Sequence, residues 1–280
     1  MLSFQSDYGL RITGECDETT WSALIEASWS LGDRLLYLRS PNLRGDDVAQ
    51  MQSMLSRLGF DCGRTDGIYG PLAVRAVSEF QQNCGLVPDG VCTREVVIAL
   101  HRVSTHTGDG PGIAVLRETE SLSDLRANTQ RRIVIGSYAG MAAVSQQVLR
   151  RCREDYELVT LVESDATSQA QTANRFSADV YLGFESASDE ACVVQYYEVP
   201  NFISVGGRSL AHAICEQLRQ RIPEITVHTE GIRHSALRET RMPAVLCSLA
   251  PMSIISLKTS AIALAVQAAL SQWWQAPETL

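Results

Sequence analysis

The 280-residue sequence has no long hydrophobic run. Its longest apolar stretch, from Ala261 to Leu270, is interrupted by Gln267 and is too short to cross a bilayer. We therefore expect no membrane span and interpret this stretch as a buried helix. The N-terminus also lacks the basic start and the apolar run of a secretory signal peptide.

A cluster of Lys and Arg residues is also missing. The chain has 32 acidic against 24 basic residues, a net charge of -8. Such a chain is repelled by nucleic acid and by anionic lipid, so we expect neither as a partner. Hydrophobic residues make up 45% and charged residues 20% of the chain, which is typical of globular proteins and excludes whole-chain disorder, collagen and coiled coil.

None of the eight cysteines form a CxxC pair, which excludes zinc-finger and redox motifs of that type. So few cysteines in a chain of this length indicate buried thiols rather than a disulfide framework. They favour a reducing compartment, and we predict a cytoplasmic protein. If the natural start lies upstream of Met1 and carries an export signal, the predicted location is instead the cell wall or the extracellular space.

The sequence contains an internal repeat. Six residues of one thirteen-residue window recur 76 positions later: Phe4, Gln5, Gly9, Leu10, Gly14 and Cys16 match Phe80, Gln81, Gly85, Leu86, Gly90 and Cys92. The first copy begins in its own middle, because only three residues precede Phe4. We predict a partial copy at residues 1–38 and a complete copy at 39–103. Either the partial copy packs on the complete one, or the natural start lies upstream.

The complete copy has the pattern of three short helices. Asp46 and Asp47 precede a segment with apolar residues at helical spacing, and Gly59 ends it. A turn-rich loop follows at 61–70, and Pro71 suits the first position of a second helix. A third helix is predicted to begin near Thr93. The N-terminal region is therefore predicted to be small and all-α.

This copy resembles the peptidoglycan-binding type-1 repeat over about 60 residues. The matching text is Gly45-Asp46-Asp47-Val48, Leu55, Leu58-Gly59-Phe60, Asp66-Gly67-Ile68-Tyr69-Gly70, Ala76-Val77, Phe80-Gln81, Gly85-Leu86 and Asp89-Gly90. The sequence departs from the family at Leu72, where Thr is common. The resemblance implies peptidoglycan binding beside the loop, by Asp66, Gly67, Tyr69 and Gly70. We expect Tyr69 to contact a stem peptide and backbone amides to meet its carboxylates. The alternative is a helical spacer without affinity for the cell wall.

Residues 104–131 are predicted to be a linker, because Gly108-Asp109-Gly110-Pro111-Gly112 does not propagate helix or strand. These glycines are not a phosphate-binding loop, because no strand precedes them and no Lys-Ser/Thr follows. Strand and helix patterns then alternate over 132–275, which predicts an α/β domain with a mainly parallel sheet flanked by helices. Residues 276–280 are a polar tail.

The α/β domain resembles the zinc-dependent N-acetylmuramoyl-L-alanine amidase family (amidase type 3) over about 140 residues. The matching text is Ala173-Asn174, Ala178-Asp179-Val180-Tyr181-Leu182, Ser209-Leu210-Ala211, Leu237-Arg238-Glu239-Thr240 and Met242-Pro243-Ala244-Val245-Leu246. The resemblance implies amide hydrolysis. In that family two His and one Glu hold zinc, a zinc-bound water is the nucleophile, and a second Glu is the general base.

The positions that carry this chemistry are changed. The first strand continues into Gly136-Ser137-Tyr138-Ala139-Gly140, where the family has its first His, and the stretch from Gly136 to Arg153 contains no His, Asp or Glu. Glu185 stands where the second His is expected, and Ser248 where the general base is expected. We therefore predict no catalytic residues, no metal site and no cofactor.

An amidase fold without its chemistry predicts a non-catalytic protein that binds peptidoglycan or its precursor. It resembles actinobacterial amidase-like proteins that lack signal peptides and act on cytoplasmic precursor synthesis, which implies a cell-wall synthesis enzyme or a scaffold as partner. Two alternatives stay open. One is an active amidase whose zinc is held by an unusual set such as Glu185 with His234. The other is a structural scaffold without glycan affinity.

Overall fold

The computed structural model describes residues 1–104, 113–127, 130–187, 191–199 and 202–277. The chain divides into two compact units, the first formed by Met1–Arg117 with Pro200–Phe202 and the second by Glu118–Val199 with Ile203–Leu280. Within the described residues, no helix combines the length and the apolar character that a membrane crossing requires.

The first unit is all-α, as predicted. Its helices are α1 (Leu2–Asp7), α2 (Glu18–Ala27), α3 (Asp46–Arg57), α4 (Pro71–Asn83) and α5 (Arg94–Ser104). Acidic residues in the first turn of α3 and Arg57 in its last turn complement the helix dipole. Val48, Met51 and Leu55 are buried on one face of α3, in the apolar core that it shares with α4 and α5.

The partial copy packs on the complete copy. The backbone of Leu36 pairs with that of Cys92 in an antiparallel bridge. The Arg34 guanidinium is 2.7 Å from the buried carboxylate of Asp47. These contacts join the end of the partial copy to the first helix of the complete copy and to the segment before its last helix.

The second unit contains one seven-stranded sheet flanked by helices. Its strands are β1 (Arg132–Ser137), β2 (Leu158–Glu163), β3 (Val180–Ser186), β4 (Cys192–Val199), β5 (Phe202–Ile203), β6 (Val227–Ile232) and β7 (Ala244–Leu249). Its helices are α6 (Ile113–Ala127), α7 (Ala142–Asp155), α8 (Ala166–Arg175), α9 (Val205–Arg221), α10 (Ser235–Glu239), α11 (Met252–Ile255) and α12 (Thr259–Trp273).

The strand order is β2-β1-β3-β7-β4-β5, and β6 pairs with β4. Strands β2, β1, β3 and β7 are parallel to one another, and β4 runs antiparallel to β7. The predicted α/β fold with a mainly parallel sheet is therefore confirmed.

Both faces of the sheet are covered, as the continuous apolar strands indicate. Ile133 and Ile135 belong to the core that includes residues of α7, α9 and α12, and Val134 between them is buried on the opposite face. Trp273 and Trp274 close the end of α12 and are both buried. The C-terminal helix is therefore part of the core.

The segment predicted as a linker contains the helix α6, which is a correction to that prediction. Leu122 of α6 is fully buried in the core of the second unit. Ser204 Oγ donates a 2.7 Å hydrogen bond to the Glu118 carboxylate, which fixes α6 to the beginning of α9. The glycine-rich run at 108–112 and the tail residues 278–280 lie outside the described residues.

Candidate functional site

The parallel strands end at one edge of the sheet, where ligand sites of α/β proteins are found. At this edge Ser137 of β1 lies beside Phe184 of β3, and Glu185 of β3 lies beside Ser248 of β7. The structure therefore brings together Glu185 and Ser248, the two positions singled out in the sequence.

These two side chains are hydrogen-bonded to each other. Ser248 is buried, and its Oγ lies 2.5 Å from Glu185 Oε1 and 3.1 Å from Gln195 Oε1. A hydroxyl has one proton, so it donates to one of these oxygens at a time, and an inverted Gln195 amide would donate back to Ser248. The Ser248 hydroxyl is therefore held between β3 and the antiparallel strand β4. Gln195 was not foreseen from the sequence, because nothing in its neighbourhood marks it.

A zinc ion does not fit the residues present at this edge. Across the described chain, no group of three or more His, Cys, Asp or Glu side chains converges on one point. His234 uses its Nδ1 to accept a hydrogen bond from the Ala236 amide at the beginning of α10. That lone pair is not available to a metal while it caps the helix. A metal set of Glu185 with His234 would therefore require His234 to give up this cap.

A second hydrogen-bonded network lies between β1 and α8. The Tyr181 hydroxyl donates to Gln169 Oε1 at 2.7 Å and lies 3.5 Å from the Tyr138 hydroxyl. The Gln169 amide donates to the carbonyls of Ser137 and Ser164, which joins the ends of β1 and β2. Burial, with a contribution from the Glu185 charge, raises the pKa of Tyr138 to about 12. Tyr138 is therefore a neutral hydrogen-bonding group at physiological pH.

The network depends on a glycine in β1. A Cβ on Gly136 would lie 2.0 Å from Gln169 Oε1 and 2.3 Å from the Tyr181 hydroxyl. Any side chain at this position would displace both partners. The signal that could have identified Gln169 from the sequence is its polar character on the buried face of α8.

A small cavity opens between the ends of β1 and β2 and the beginning of α7. We call it the strand-end pocket, and its volume is about 320 Å³. Its lining consists of Ser137, Tyr138, Ala139, Gly140, Ala142, Glu163 and Ser164. Glu163 was not predicted from the sequence, although a carboxylate at the end of a parallel strand is a recognisable signal for a ligand site.

Residues in the amidase-like sequence blocks hold the fold together. The Asn174 side chain donates to the Glu239 carbonyl and accepts from the Arg241 amide, which joins α8 to the segment after α10. Asp179 accepts from the Arg132 amide at 2.7 Å and so fixes the beginning of β1 beside β3. These residues have structural roles that do not depend on catalysis.

In the peptidoglycan-binding repeat, the predicted binding loop is fastened by Gln52 of α3. Gln52 accepts from the Gly67 amide at 2.7 Å and donates to the Asp66 carboxylate at 2.9 Å and to the Ile68 carbonyl at 3.2 Å. The same Asp66 oxygen accepts from the Ile68 amide. The side chain of Asp66 and the amide of Gly67 are thus committed to internal bonds.

Tyr69 does not have the surface role predicted for it. Its side chain is fully buried, and its hydroxyl donates to the Gly90 carbonyl at 2.8 Å. Burial therefore raises the pKa of Tyr69 above its ordinary value. A side chain enclosed in the core cannot contact a stem peptide, so this expectation is corrected. The sequence alone did not separate an aromatic contact residue from an aromatic core residue.

Comparison with known proteins supports both resemblances. A family model described as "Putative peptidoglycan binding domain" matches residues 44–100. The chain is 29% identical over 276 residues to "N-acetylmuramoyl-L-alanine amidase CwlM" of Mycobacterium tuberculosis, covering 87% of this chain and 68% of that protein. It is 35% identical over 78 residues to "N-acetylmuramoyl-L-alanine amidase CwlA" of Bacillus subtilis, covering 26% of this chain and 29% of that protein.

Among solved structures, the chain is similar to N-acetylmuramoyl-L-alanine amidase AmiC2 of Nostoc punctiforme. The TM-score is 0.42 and the identity 15%, over 53% of this chain and 99% of that chain. The family model confirms the peptidoglycan-binding repeat that the sequence motifs predicted. The resemblance of the second unit to amidases agrees with the sequence similarity to CwlM.

Proposed function

We propose that this amidase-like protein is non-catalytic, binds peptidoglycan or its precursor, and regulates cell-wall synthesis. The observation that carries the proposal is the hydrogen bond between Ser248 and Glu185. In the family it resembles, these positions supply a zinc ligand and the general base. Here a hydroxyl and a carboxylate satisfy each other, in a place where catalysis needs a metal with an open coordination position.

Binding is supported by the repeat at residues 44–100, whose family model describes a peptidoglycan-binding domain. The partners proposed are peptidoglycan or its precursor and a cell-wall synthesis enzyme or scaffold. A cytoplasmic location is part of the proposal, and it is supported by eight cysteines that are all free thiols. Fractionation of cells that express the full chain tests the location directly.

Metal analysis and digestion of purified cell wall together test the lack of catalysis. We expect less than one zinc in ten chains after purification in zinc-containing buffer, and no release of stem peptides from the wall. Glu185→Ala and Ser248→Ala are expected to leave this result unchanged. One zinc per chain, together with release of free stem peptides, would show that the protein is an enzyme.

An active amidase with a non-standard metal set is the second candidate. It is favoured by one contact, because the His234 ring meets Tyr138 edge-on at 6.1 Å between centroids, at the same edge as Glu185. This candidate expects wall-degrading activity that is abolished by a chelator and by Glu185→Ala. Loss of activity both with the chelator and in Glu185→Ala supports this candidate. Activity that neither treatment reduces excludes it.

A pull-down with purified peptidoglycan separates a binding protein from a scaffold. Tyr69→Ala is unsuitable, because it would open a cavity in the core. Leu72 is 41% exposed and adjoins Gly63 of the predicted binding loop, so Leu72→Asp is the better variant. Val87→Asp, at an exposed position outside that loop, is the matched control. Retention that is reduced only in Leu72→Asp supports binding beside the loop.

A further inference from the structure

The strand-end pocket has features of a ligand site that catalysis by zinc does not require. Its volume of about 320 Å³ suits one amino-acid-sized group rather than a whole saccharide. Its lining combines backbone at a helix beginning, the hydroxyl of the buried Ser137 and the carboxylate of the exposed Glu163. These groups have opposite preferences for charge, which restricts the chemistry of a ligand that satisfies all of them.

One side of the pocket favours an anion. The helix α7 has 14 residues, and no side chain caps its first turn, next to Gly140 and Ala142 of the pocket lining. Its free amides and its dipole attract a carboxylate. The Ser137 hydroxyl lines the same cavity, and its residue is 5% exposed. Among the described residues it has no hydrogen-bond partner, so a ligand would satisfy it.

The other side favours a cation. Glu163 lies directly opposite Ser137 in the register of β2 with β1. Neighbouring strands are about 4.8 Å apart, so a carboxylate and a hydroxyl at paired positions can bind groups on the same carbon atom. Within the part of the chain described, Glu163 forms no ion pair. An ammonium group is the natural partner for it.

We propose that the strand-end pocket binds a zwitterionic amino-acid head group, in which one carbon carries both a carboxylate and an ammonium. The carboxylate lies at the beginning of α7 beside Ser137, and the ammonium lies beside Glu163. This inference rests on the proposed binding function, because a stem peptide that contains diaminopimelate carries such a group at the end of that side chain. It assigns recognition of the stem to the second unit as well as to the repeat.

Titration calorimetry of the full chain with three synthetic stem tripeptides tests the proposal. The first ends in meso-diaminopimelate, whose side chain carries both charges. The second ends in lysine and has only the ammonium, and the third ends in aminopimelate and has only the carboxylate. We expect the diaminopimelate peptide to bind at least about tenfold more tightly than either of the others, as one charge-assisted hydrogen bond can provide.

Variants then assign each charge to its side of the pocket. Glu163→Gln is expected to remove the advantage of diaminopimelate over aminopimelate, and Ser137→Ala to reduce its advantage over lysine. Glu157 precedes the same strand at the opposite end and is exposed, so Glu157→Gln is the matched control. Equal binding of the three peptides, no binding of the diaminopimelate peptide at millimolar concentration, or an unchanged preference in Glu163→Gln would overturn the inference.

These outcomes are separable from failure of the proposed function. If the chain retains purified peptidoglycan but does not discriminate among the tripeptides, only the zwitterion inference is lost. If the chain carries zinc and releases stem peptides from the wall, the non-catalytic function is lost, whatever the tripeptides show.

Discussion

The two copies of the repeat share a loop that is closed by hydrogen bonds from one glutamine side chain. They differ in how deeply the side chains around that loop are buried. In the complete copy, Gln81 accepts from the Gly90 amide at 2.9 Å and donates to Asp89 and to the Val91 carbonyl. Asp89 in turn accepts from the Val91 amide. A single glutamine therefore closes a loop whose glycine has a positive φ of 69°.

The partial copy reproduces this arrangement with one exchange. Gln5 accepts from the Gly14 amide at 2.8 Å and donates to the Glu15 carbonyl, and Thr13 stands where the complete copy has Asp89. The Gln52 loop uses the same scheme a third time. In the two copies, the glutamine bonds the glycine amide and the next carbonyl from nine or ten residues away, so each copy contains both partners of these bonds.

Matching side chains in the two copies differ in burial, although the two loops are alike. Val97 of α5 is 7% exposed, whereas Trp21, its counterpart 76 positions earlier, is 59% exposed. Cys92 is 1% exposed, and its counterpart Cys16 is exposed. Local hydrogen bonding thus comes from each copy alone, whereas the core comes from the helix α3 and the segment before it, which only the complete copy has among residues 1–103.

The largest expected difference between the copies is in thiol reactivity. Burial raises the pKa of Cys92 to about 12, so at pH 8 only about one molecule in ten thousand carries the reactive thiolate. We expect iodoacetamide to label Cys16 at least about a thousandfold faster than Cys92 in the native chain. Peptide mass spectrometry after timed labelling measures this. Equal rates in the native chain, matching those in guanidinium, would show that the copies are equally open.

Glycine substitutions give the next largest effect. Gly90 and Gly14 both have positive φ, and a Cβ on Gly90 would lie 2.6 Å from Val74 Cγ1, whereas on Gly14 it would lie 3.2 Å from the mobile end of Leu2. We expect Gly90→Ala to lower the free energy of unfolding by about 3–4 kcal/mol and Gly14→Ala by about 1–2 kcal/mol. Denaturant titration of the full chain measures both.

Gly85→Ala is the control for backbone strain alone. Gly85 also has a positive φ, of 72°, and a Cβ there would have no atom within 4 Å. Its cost is expected to equal the strain alone, about 1 kcal/mol. A Gly90→Ala cost no larger than that of Gly85→Ala would mean that the Gly90 loop is not packed against Val74.

The main strands of the sheet could be predicted because their own sequences favour strand formation, whatever their neighbours are. Strands β1, β3 and β7 are short apolar runs with β-branched residues, buried on both faces, and such runs are recognisable without their neighbours. Strand β6 is half polar and includes Gly231, and it is held by parallel pairing with β4. Its existence depends on a partner about 35 residues away, which a local pattern does not contain.

The sequence was sufficient to select residues of the candidate site, but not to predict the hydrogen bonds between them. The sequence placed Glu185 and Ser248 at strand ends, and the pairing of β3 with β7 makes them neighbours across 63 residues of chain. That pairing, and the approach of Gln195 from an antiparallel strand, depend on the register of the whole sheet. The prediction that Tyr69 contacts a ligand was wrong for a related reason. Packing of the core, rather than the sequence of the loop, decides whether the Tyr69 side chain is exposed.

Removing the glutamines tests whether the shared loop matters equally in the two copies. Gln81→Met leaves the Gly90 amide without its acceptor, and Gln5→Met does the same to Gly14. Gly90 is buried, so its amide without a partner costs about 2 kcal/mol and its hydrogen exchange should accelerate about thirtyfold. Gly14 is exposed, so its amide can bind water instead and its exchange should accelerate less. We expect Gln81→Met to lower the global free energy of unfolding and Gln5→Met to loosen only the partial copy.

Exchange measured by mass spectrometry on overlapping peptides separates these outcomes. Peptides from α3 and α5 report on the complete copy, and peptides from α1 and α2 report on the partial copy. Faster exchange throughout the first unit in Gln5→Met would contradict the view that the partial copy can open by itself.

The smallest expected effect is a dependence on acid of the Gly90 loop, which contains Asp89 where the Gly14 loop has Thr13. Hydrogen bonds from the Val91 amide, and then from Gln81, lower the pKa of Asp89 in the folded chain. Because the folded pKa is below the unfolded value of about 3.9, Asp89 contributes stability above that pH and loses it as the pH falls through the folded pKa. Asp89→Thr introduces the residue that the partial copy has at this position, Thr13, whose side chain does not titrate. We expect the variant to be slightly less stable than the original chain at pH 7, and the difference to narrow below about pH 4 in paired melting curves. A difference that stays constant from pH 7 to pH 3 would show that the Asp89 charge does not strengthen the loop, and that threonine and aspartate close it equally well.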